Sequence, residues 1–339
     1  MKQSRYINIG ITIVAIIIML FLFETVLQIM HYHYSPITLK MDNITAKTDF
    51  RNAHAFEDVY TTYDAKLLWK ARAGSRAFND QGFIGREINN TNAQYYRIIV
   101  IGDSNVAGIP LNPITWPEAL NQELEKNNHK VIVLNAGMWG YSAYQGLERF
   151  KQVESEYKPD MILVSFGSND AQQVKISDKS WRGASTLQNI TVPLIEYSKV
   201  AQFILSITDR IRARSGGNTT LTPRVSVADY KTYLEEMILG SRKYNTTIVL
   251  LTRPYRFFPG ERENPDPTVW KTYAADYRNA TIAIGEKYNV TVIDVYALFE
   301  NKTEYFRDES HFTDEGASIA GELIAKQIDI PIMTPRTTN

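Results

Sequence analysis

Apolar runs and amphipathic stretches alternate along most of this chain. The apolar runs are rich in β-branched residues and lie at 97–101, 131–134, 161–166, 247–251 and 290–294. Between and after them, helix-like spacing covers about 115–128, 142–157, 227–244, 267–288 and 313–328. Continuous apolar strands that alternate with helices are typical of a parallel sheet buried between two helical layers. The pattern therefore predicts a three-layer α/β/α sandwich with a five-stranded parallel sheet.

The amino terminus has a different pattern. From Tyr6 to Phe23 the chain carries no charged residue and is rich in Ile, Leu, Val and Phe. This run is long enough to cross a bilayer, which requires about 20 apolar residues. Lys2 and Arg5 precede it, so the positive-inside rule predicts a single-pass anchor with a cytoplasmic amino terminus and the remainder of the chain outside. A cleaved signal peptide is the alternative, although no small-residue cleavage site is apparent.

Composition and charge exclude several other classes of protein. The 339 residues include 37 Lys+Arg and 37 Asp+Glu without a basic tract, so nothing indicates a nucleic-acid partner. The absence of cysteine excludes disulfides, thiolate nucleophiles and cysteine-based zinc sites. His31 and His33 are too sparse for a metal site, and the chain has no phosphate-binding glycine motif. We therefore expect neither a metal nor a cofactor.

A serine follows the first predicted strand. The run at 97–101 leads into Gly102, Asp103 and Ser104, which delivers Ser104 to the carboxyl edge of the sheet, where α/β proteins bind their ligands. A serine in this position often does no more than cap the next helix. A nucleophilic serine also needs a base, an acid that orients the base, and donors for an oxyanion.

Only one of the five histidines lies in a setting that suits a base. His311 belongs to the loop between the last predicted strand and the last helix, so it can return to the sheet edge that carries Ser104. Asp308, three residues earlier, can reach its Nδ1 and leave Nε2 for the serine. The other four histidines follow the membrane-like run or lie in polar stretches: His31, His33, His54 and His129.

Oxyanion donors are available at the ends of the second and third strands. The second strand leads into a loop with Gly137 and Gly140, and the third leads into Gly167-Ser168-Asn169-Asp170. A glycine lets a backbone N–H approach an oxyanion closely, and an asparagine amide is a second type of donor. Glycines also make turns, and Asn-Asp is ordinary turn chemistry.

These segments together resemble the blocks of the SGNH/GDSL hydrolase superfamily over about residues 95–328. The resemblance implies the sheet order 2-1-3-4-5 of flavodoxin-like folds. It also implies that Ser104 is the nucleophile, with His311 and Asp308 completing the triad, and that Ser104, Gly140 and Asn169 form the oxyanion hole. The spacing from the preceding asparagine favours Gly140 over Gly137. The chain departs from the motif at Asn105, where the family name has leucine.

Residues 63–69 and 79–87 are similar to a segment that precedes the catalytic domain in membrane-tethered members of this superfamily, so the resemblance to that subset implies a serine esterase anchored at the membrane. Its expected substrates are acyl esters of glycans, with O-acetyl groups foremost, or of lipids. An acyltransferase that uses the same triad to modify cell-surface glycans is the alternative, and a non-catalytic binding domain is a third, less favoured class. The expected organisation is residues 1–30 as cytoplasmic stub and transmembrane anchor, 31–95 as extracytoplasmic extension, 96–330 as SGNH hydrolase-type domain and 331–339 as tail.

The long connection after Asp170 is the expected source of specificity. It contains Trp181 and Arg182, and an aromatic side chain next to a cation suits stacking and hydrogen bonding to a sugar or polar head group. An amphipathic stretch from Leu194 to Ile211 is expected to pack on the domain or the membrane surface.

Eight Asn-x-Thr sequons predict possible glycosylation: Asn43, Asn89, Asn189, Asn218, Asn245, Asn279, Asn289 and Asn301. Asn245 and Asn289 are explained equally well as left-handed helix stops.

Overall fold

The computed structural model describes residues 2–32, 60–64, 67–89, 92, 94–108, 114–174, 177–182, 198–215, 222–256 and 267–331. In chain order the strands are β1 (Thr61–Asp64), β2 (Leu68–Ala71), β3 (Tyr96–Gly102), β4 (Val131–Asn135), β5 (Met161–Ser165), β6 (Gln173–Val174), β7 (Thr222–Pro223), β8 (Thr247–Leu251) and β9 (Thr291–Ile293). The helices are α1 (Lys2–Ile29), α2 (Ser104–Ala107), α3 (Trp116–Lys126), α4 (Ala143–Tyr157), α5 (Ser168–Ala171), α6 (Asp178–Arg182), α7 (Lys199–Ser215), α8 (Val227–Tyr244), α9 (Pro267–Tyr288), α10 (Val295–Leu298) and α11 (Asp314–Ala325).

The chain divides into two compact units. The larger comprises residues 71–181 and 220–339, and the smaller comprises residues 1–70 and 182–219.

A five-stranded parallel sheet forms the centre of the larger unit. Its order is β4-β3-β5-β8-β9, which is 2-1-3-4-5 among the five strands and confirms the predicted topology. In the register of β3 and β5, Gly102 lies opposite Ser165. The residues that follow these two positions, Ser104 and Gly167, therefore leave the sheet at the same edge.

Helices cover both faces of this sheet. On one face α3 and α11 pack against each other, and Leu120 and Ile324 are buried against Val100 and Val133. The alternate strand positions, such as Ile99, face the layer made by α4, α8 and α9 because strand side chains alternate between faces. The predicted three-layer sandwich is confirmed.

Local signals set the ends of several helices. The side chains of Thr115 and Thr313 accept hydrogen bonds from the first turns of α3 and α11. Asn245 and Asn289 follow α8 and α9 with φ of 59° and 50°, the left-handed conformation expected of helix stops.

Part of the predicted extension lies along the edge strand of the sheet. The Ile84 N–H donates to the carbonyl of Asn135 at the end of β4. Arg86 forms ion pairs with Glu118 and Glu125 on α3. Phe83 is fully buried.

The smaller unit contains α1, the paired strands β1 and β2, and α7. Tyr6–Ile29 of α1 is 24 residues long and contains an 18-residue window with a mean hydropathy of 2.6, which suits either a membrane span or a signal sequence. Within this unit the first turns of α7 contact the carboxyl end of α1. The amphipathic stretch predicted from Leu194 begins as helix at Lys199 and continues to Ser215, while 194–197 lie outside the described residues.

Candidate active site

Ser104 is held in a tight turn between β3 and α2. A Cβ on Gly102 would lie 2.3 Å from Cγ2 of Val106 and 2.5 Å from the Ser165 carbonyl oxygen, so only glycine fits between the two neighbouring segments. The Asp103 carboxylate caps the turn by accepting the Asn105 N–H at 2.8 Å. The first residue after this cap is Ser104, which is half-buried at the edge of the sheet.

Three of the predicted residues lie in one hydrogen-bonded line. Nε2 of His311 is 2.8 Å from Oγ of Ser104, although 207 positions separate the two residues in sequence. Nδ1 of His311 is 2.8 Å and 2.9 Å from the two carboxylate oxygens of Asp308. A hydroxyl, an imidazole and a carboxylate in this order can transfer the hydroxyl proton to the imidazole while the carboxylate stabilises the resulting cation.

The short loop from Asp308 to His311 is itself preorganised. Oδ1 of Asp308 accepts the backbone N–H groups of Ser310 and His311 at 2.8 Å and 2.9 Å. Burial alone would raise the pKa of Asp308, but its hydrogen bonds and attraction to His311, together with these two backbone donors, lower it to about 2. Asp308 is therefore a carboxylate throughout the neutral pH range and accepts from Nδ1 of His311.

The predicted oxyanion residues follow the neighbouring strands. Asn169, at the start of α5, is buried, and its Nδ2 donates to the carbonyl of Tyr141 at 2.8 Å, which leaves one N–H of the amide. Gly140 has a φ of 75°, a conformation that glycine adopts without strain. In the part of the chain that the structure describes, the backbone N–H groups of Ser104 and Gly140 have no protein acceptor.

Gly137, the alternative to Gly140, has another role. Its N–H already donates to Oδ1 of Asn135 at 3.0 Å. A Cβ on Gly137 would lie 2.4 Å from the backbone nitrogen of Ala107 and 2.8 Å from a methyl group of Val106. Gly137 therefore permits the close packing of its loop against α2, and Gly140 retains the available backbone donor.

Asp170 connects the two loops that carry Gly140 and Asn169. Its carboxylate accepts the Ala143 N–H at 2.8 Å and the Gly167 N–H at 3.0 Å. Complete burial raises the pKa of Asp170 to about 7, with the Ala143 hydrogen bond acting in the opposite direction. The contacts make Asp170 a structural link between the loops.

Arg253 is a residue of this region that sequence reasoning missed. It lies just after β8, its side chain is 2% exposed, and Nε is 2.9 Å from the carboxylate of Asp103. The sequence signal that could have identified Arg253 is a positively charged residue directly after a buried strand.

Trp181 and Arg182 have side chains outside the described residues, and their predicted role in substrate binding stays a prediction. Among the described residues, no group of three or more His, Asp or Glu could hold a metal ion.

This chain is similar to several known proteins. Residues 100–319 match the model of the GDSL-like Lipase/Acylhydrolase family. An arylesterase of Vibrio mimicus is 34% identical over 76 residues, which cover 22% of this chain and 38% of the arylesterase. The thioesterase 1/protease 1/lysophospholipase L1 of Escherichia coli K12 is 34% identical over 74 residues, which cover 22% of this chain and 34% of that enzyme. The matched segments thus span little more than a third of these relatives.

The similarity to solved structures covers more of the chain than the similarity to these two relatives. The crystal structure of the lipase/acylhydrolase from Enterococcus faecalis has a TM-score of 0.45 and 23% sequence identity, over 68% of this chain and 93% of that one.

Proposed function

We propose that this chain, which belongs to the GDSL-like Lipase/Acylhydrolase family, is a serine esterase anchored in a membrane that hydrolyses acyl esters outside the cytoplasm. The observation that carries the proposal is the line of hydrogen bonds from Ser104 through His311 to Asp308. In this line the Ser104 hydroxyl is placed to attack, His311 Nε2 is placed to accept its proton, and the Asp308 carboxylate is placed to stabilise the resulting imidazolium.

In the proposed reaction, Oγ of Ser104 attacks the ester carbonyl carbon and its proton passes to Nε2 of His311. The negative charge that develops on the carbonyl oxygen is stabilised by the backbone N–H groups of Ser104 and Gly140 and by the Asn169 amide. The imidazolium then gives its proton to the departing alcohol. Water, deprotonated by His311, then attacks the acyl carbon. The bond from that carbon to Oγ of Ser104 breaks, the imidazolium returns its proton to Oγ, and the carboxylic acid leaves.

We further propose that the substrates are acylated glycans, with O-acetyl groups as the first choice and lipid esters as the second. The support is the predicted topology: Lys2 and Arg5 before the apolar run of α1 favour a large unit outside the cytoplasm, where such esters are exposed. Trp181 and Arg182 are proposed to bind the sugar or head group. Trp181→Ala should lower kcat/KM for an O-acetylated glycan far more than for p-nitrophenyl acetate, because p-nitrophenyl acetate has no sugar for the proposed contact.

The triad is tested by combining turnover with covalent labelling. Ser104→Ala should abolish labelling by a fluorophosphonate probe, and both Ser104→Ala and His311→Ala should lower p-nitrophenyl acetate turnover by at least about 10³-fold with folding intact. His129→Ala, which changes an exposed histidine, is the matched control and should retain normal turnover. Normal turnover by Ser104→Ala would contradict the proposal.

Product analysis separates hydrolysis from acyl transfer. With an acetylated donor and a free sugar as acceptor, an esterase releases acetate, whereas the alternative acyltransferase forms an acetylated acceptor. Both reactions use the same acyl-enzyme on Ser104, so the product alone decides between them.

A further inference from the structure

The carbonyl group that precedes His311 is held from two sides. The Ser310 carbonyl oxygen accepts Nδ2 of Asn105 at 3.0 Å and Nη1 of Arg253 at 2.9 Å. Because this carbonyl belongs to the peptide bond that joins Ser310 to His311, the two donors restrain the backbone from which the imidazole projects.

Both donors are also fixed to the turn that carries Ser104. Asn105 is the next residue along the chain. Nε of Arg253 lies 3.1 Å and 2.9 Å from the two carboxylate oxygens of Asp103, the residue before Ser104. The residues on either side of the nucleophile are therefore connected to Ser310, Asn105 directly and Asp103 through the guanidinium of Arg253.

The contacts that join Asp103, Arg253 and Ser310 are buried, so they can hold the His311 loop at a fixed place relative to the Ser104 turn. The side chains of Asp103 and Arg253 are 0% and 2% exposed, so the ion pair is shielded from competing water. A planar guanidinium fixes the directions of its N–H donors, whereas a lysine ammonium at the same place could not bond Asp103 and Ser310 with the same geometry. Asn105 is 5% exposed.

We propose that Asn105 and Arg253 are positioning residues that set the distance between His311 and Ser104, an inference that rests on the proposed esterase function. Proton transfer requires a heavy-atom separation of about 2.6–3.2 Å, and a displacement of about 1 Å can reduce turnover about 10²-fold. The 2.8 Å between Nε2 of His311 and Oγ of Ser104 is within that range. This role also explains why asparagine stands at position 105 where the family motif has leucine, because a leucine could not donate the hydrogen bond to Ser310.

The first test is Asn105→Leu in the full chain, assayed with p-nitrophenyl acetate and normalised to active sites titrated with a fluorophosphonate. We expect kcat to fall at least about 10-fold and KM to change less than about 2-fold, because the change disturbs proton transfer and leaves substrate contacts in place. Arg253→Lys should show the same division between kcat and KM.

The matched control is Asn121→Leu. Asn121 is fully buried on α3, and its Oδ1 accepts the Val133 N–H at 2.8 Å, so the same substitution removes a comparable buried hydrogen bond away from the triad. We expect Asn121→Leu to lower stability while kcat per titrated site stays within about 2-fold of the wild type. Equal kcat values for Asn105→Leu and Asn121→Leu would overturn the proposal.

A second background distinguishes positioning from a general structural effect. Since Asn105 is proposed to act through His311, Asn105→Leu should not lower the residual turnover of His311→Ala any further. Equal fold-losses in the wild-type and His311→Ala backgrounds would contradict a positioning role. If the wild-type chain hydrolyses no ester and is not labelled, the proposed function itself fails, which is a separate result.

A different observation concerns α7 in the smaller unit. The Glu24 carboxylate, near the carboxyl end of α1, accepts the backbone N–H groups of Lys199 and Val200 at 2.9 Å each. The ring of Phe203 packs edge-on against Phe23, with 5.3 Å between centroids. These contacts fasten the first turns of α7 to the end of the apolar helix.

Three isoleucine side chains of α7 are exposed. Ile204, Ile207 and Ile211 are 54%, 42% and 57% exposed, and their spacing places them on one side of the helix. The α7 sequence carries four basic residues and one acidic residue. An amphipathic helix with excess positive charge is typical of segments that lie at the surface of a membrane.

We infer that the Ile204 face of α7 contacts the head-group region of the bilayer that α1 crosses, which rests on the proposed membrane anchor. Continuity supports a lipid partner: α7 begins at the end of the span, and its charge complements anionic lipids. The contact would add a second membrane attachment to the single span.

The absence of cysteine from the chain permits single-cysteine labelling. Ile207→Cys, carrying an environment-sensitive fluorophore, is placed with the full chain in phosphatidylcholine/phosphatidylglycerol vesicles containing nitroxide lipids. Ile17→Cys reports on the span. We expect nitroxide lipids to quench the label at Ile207 at least about 2-fold relative to the same labelled protein in vesicles without nitroxide lipids.

Each other outcome contradicts the inference in an identifiable way. Quenching at Ile17 without quenching at Ile207 would leave the anchor in place and overturn the contact of α7. No quenching at Ile17 would overturn the anchor as well. A label at Ile207 that is shielded from aqueous iodide but not quenched by nitroxide lipids would show that protein, not lipid, covers this face.

Discussion

Replacing Glu154 with glutamine should make the stability of the fold less dependent on pH. Glu154 lies on α4, is 1% exposed, and has Oε2 3.0 Å from Oγ1 of Thr246. Within the described part of the chain, its Oε1 is buried without a hydrogen-bond partner. Burial raises the pKa of Glu154 from 4.5 to about 7, with the Thr246 hydrogen bond acting in the opposite direction.

The sign follows from proton binding. Because the pKa of Glu154 is higher in the folded than in the unfolded chain, the folded state binds the proton more tightly, and stability is lost as the pH rises from about 4.5 to about 7. One pKa unit corresponds to about 1.4 kcal/mol, so the loss is about 1 kcal/mol at pH 5 and about 3 kcal/mol at pH 8. Glutamine resembles the protonated acid and avoids this loss.

Urea unfolding of the full chain in one detergent, at pH 5 and pH 8, measures the effect. Glu154→Gln should raise the free energy of unfolding relative to the wild type, and this increase should be about 2 kcal/mol larger at pH 8 than at pH 5. Glu156→Gln, an exposed change on the same helix, should alter stability by less than about 0.5 kcal/mol at both pH values. The same gain for Glu154→Gln at both pH values would refute the assignment of a buried, titrating Glu154.

Four further outcomes are expected. Asn169→Ala should lower kcat about 10²–10³-fold with little change in KM, whereas a rise in KM alone would mean that Asn169 binds the substrate and not the transition state. Gly137→Ala should lower both Tm and kcat, because its Cβ would lie 2.4 Å from the Ala107 backbone nitrogen; an unchanged Tm would contradict this packing. Asp308→Asn should reduce turnover at least about 10³-fold, because asparagine no longer holds the His311 proton on Nδ1 and Nε2 is then not kept free to act as the base; near-normal turnover would exclude Asp308 as the orienting acid. The protein should remain in membranes after carbonate washing, and its release would indicate that the apolar segment is cleaved.

The elements of the fold could be predicted because their signals are local. Apolar runs of the right length indicated the five strands, helix-like spacing indicated helices that begin near 115 and 313, and Asn245 and Asn289 indicated helix stops. The strand order required the family resemblance, since spacing along the chain does not say which strands are neighbours.

Packing adds a physical reason to a choice that the sequence had already made. The spacing from Asn135 favoured Gly140 over Gly137, and only the structure shows that Gly137 is packed against Ala107 with its N–H already bonded. The connections of Asn105 and Arg253 to Ser310 also had no sequence signature, because they join three segments that lie far apart in the chain.

By itself, the sequence determined which residues stand at the ends of the strands and therefore which chemistry the sheet edge can hold. Hydrophobic periodicity and capping are properties of neighbouring residues, so Ser104, Asn169 and His311 could be found without coordinates. Only the tertiary structure decided that Ser104 and His311, 207 residues apart, come within 2.8 Å. That distance depends on the register of the parallel strands and on the buried contacts of Asp103 and Arg253, which form only when the whole sheet is assembled.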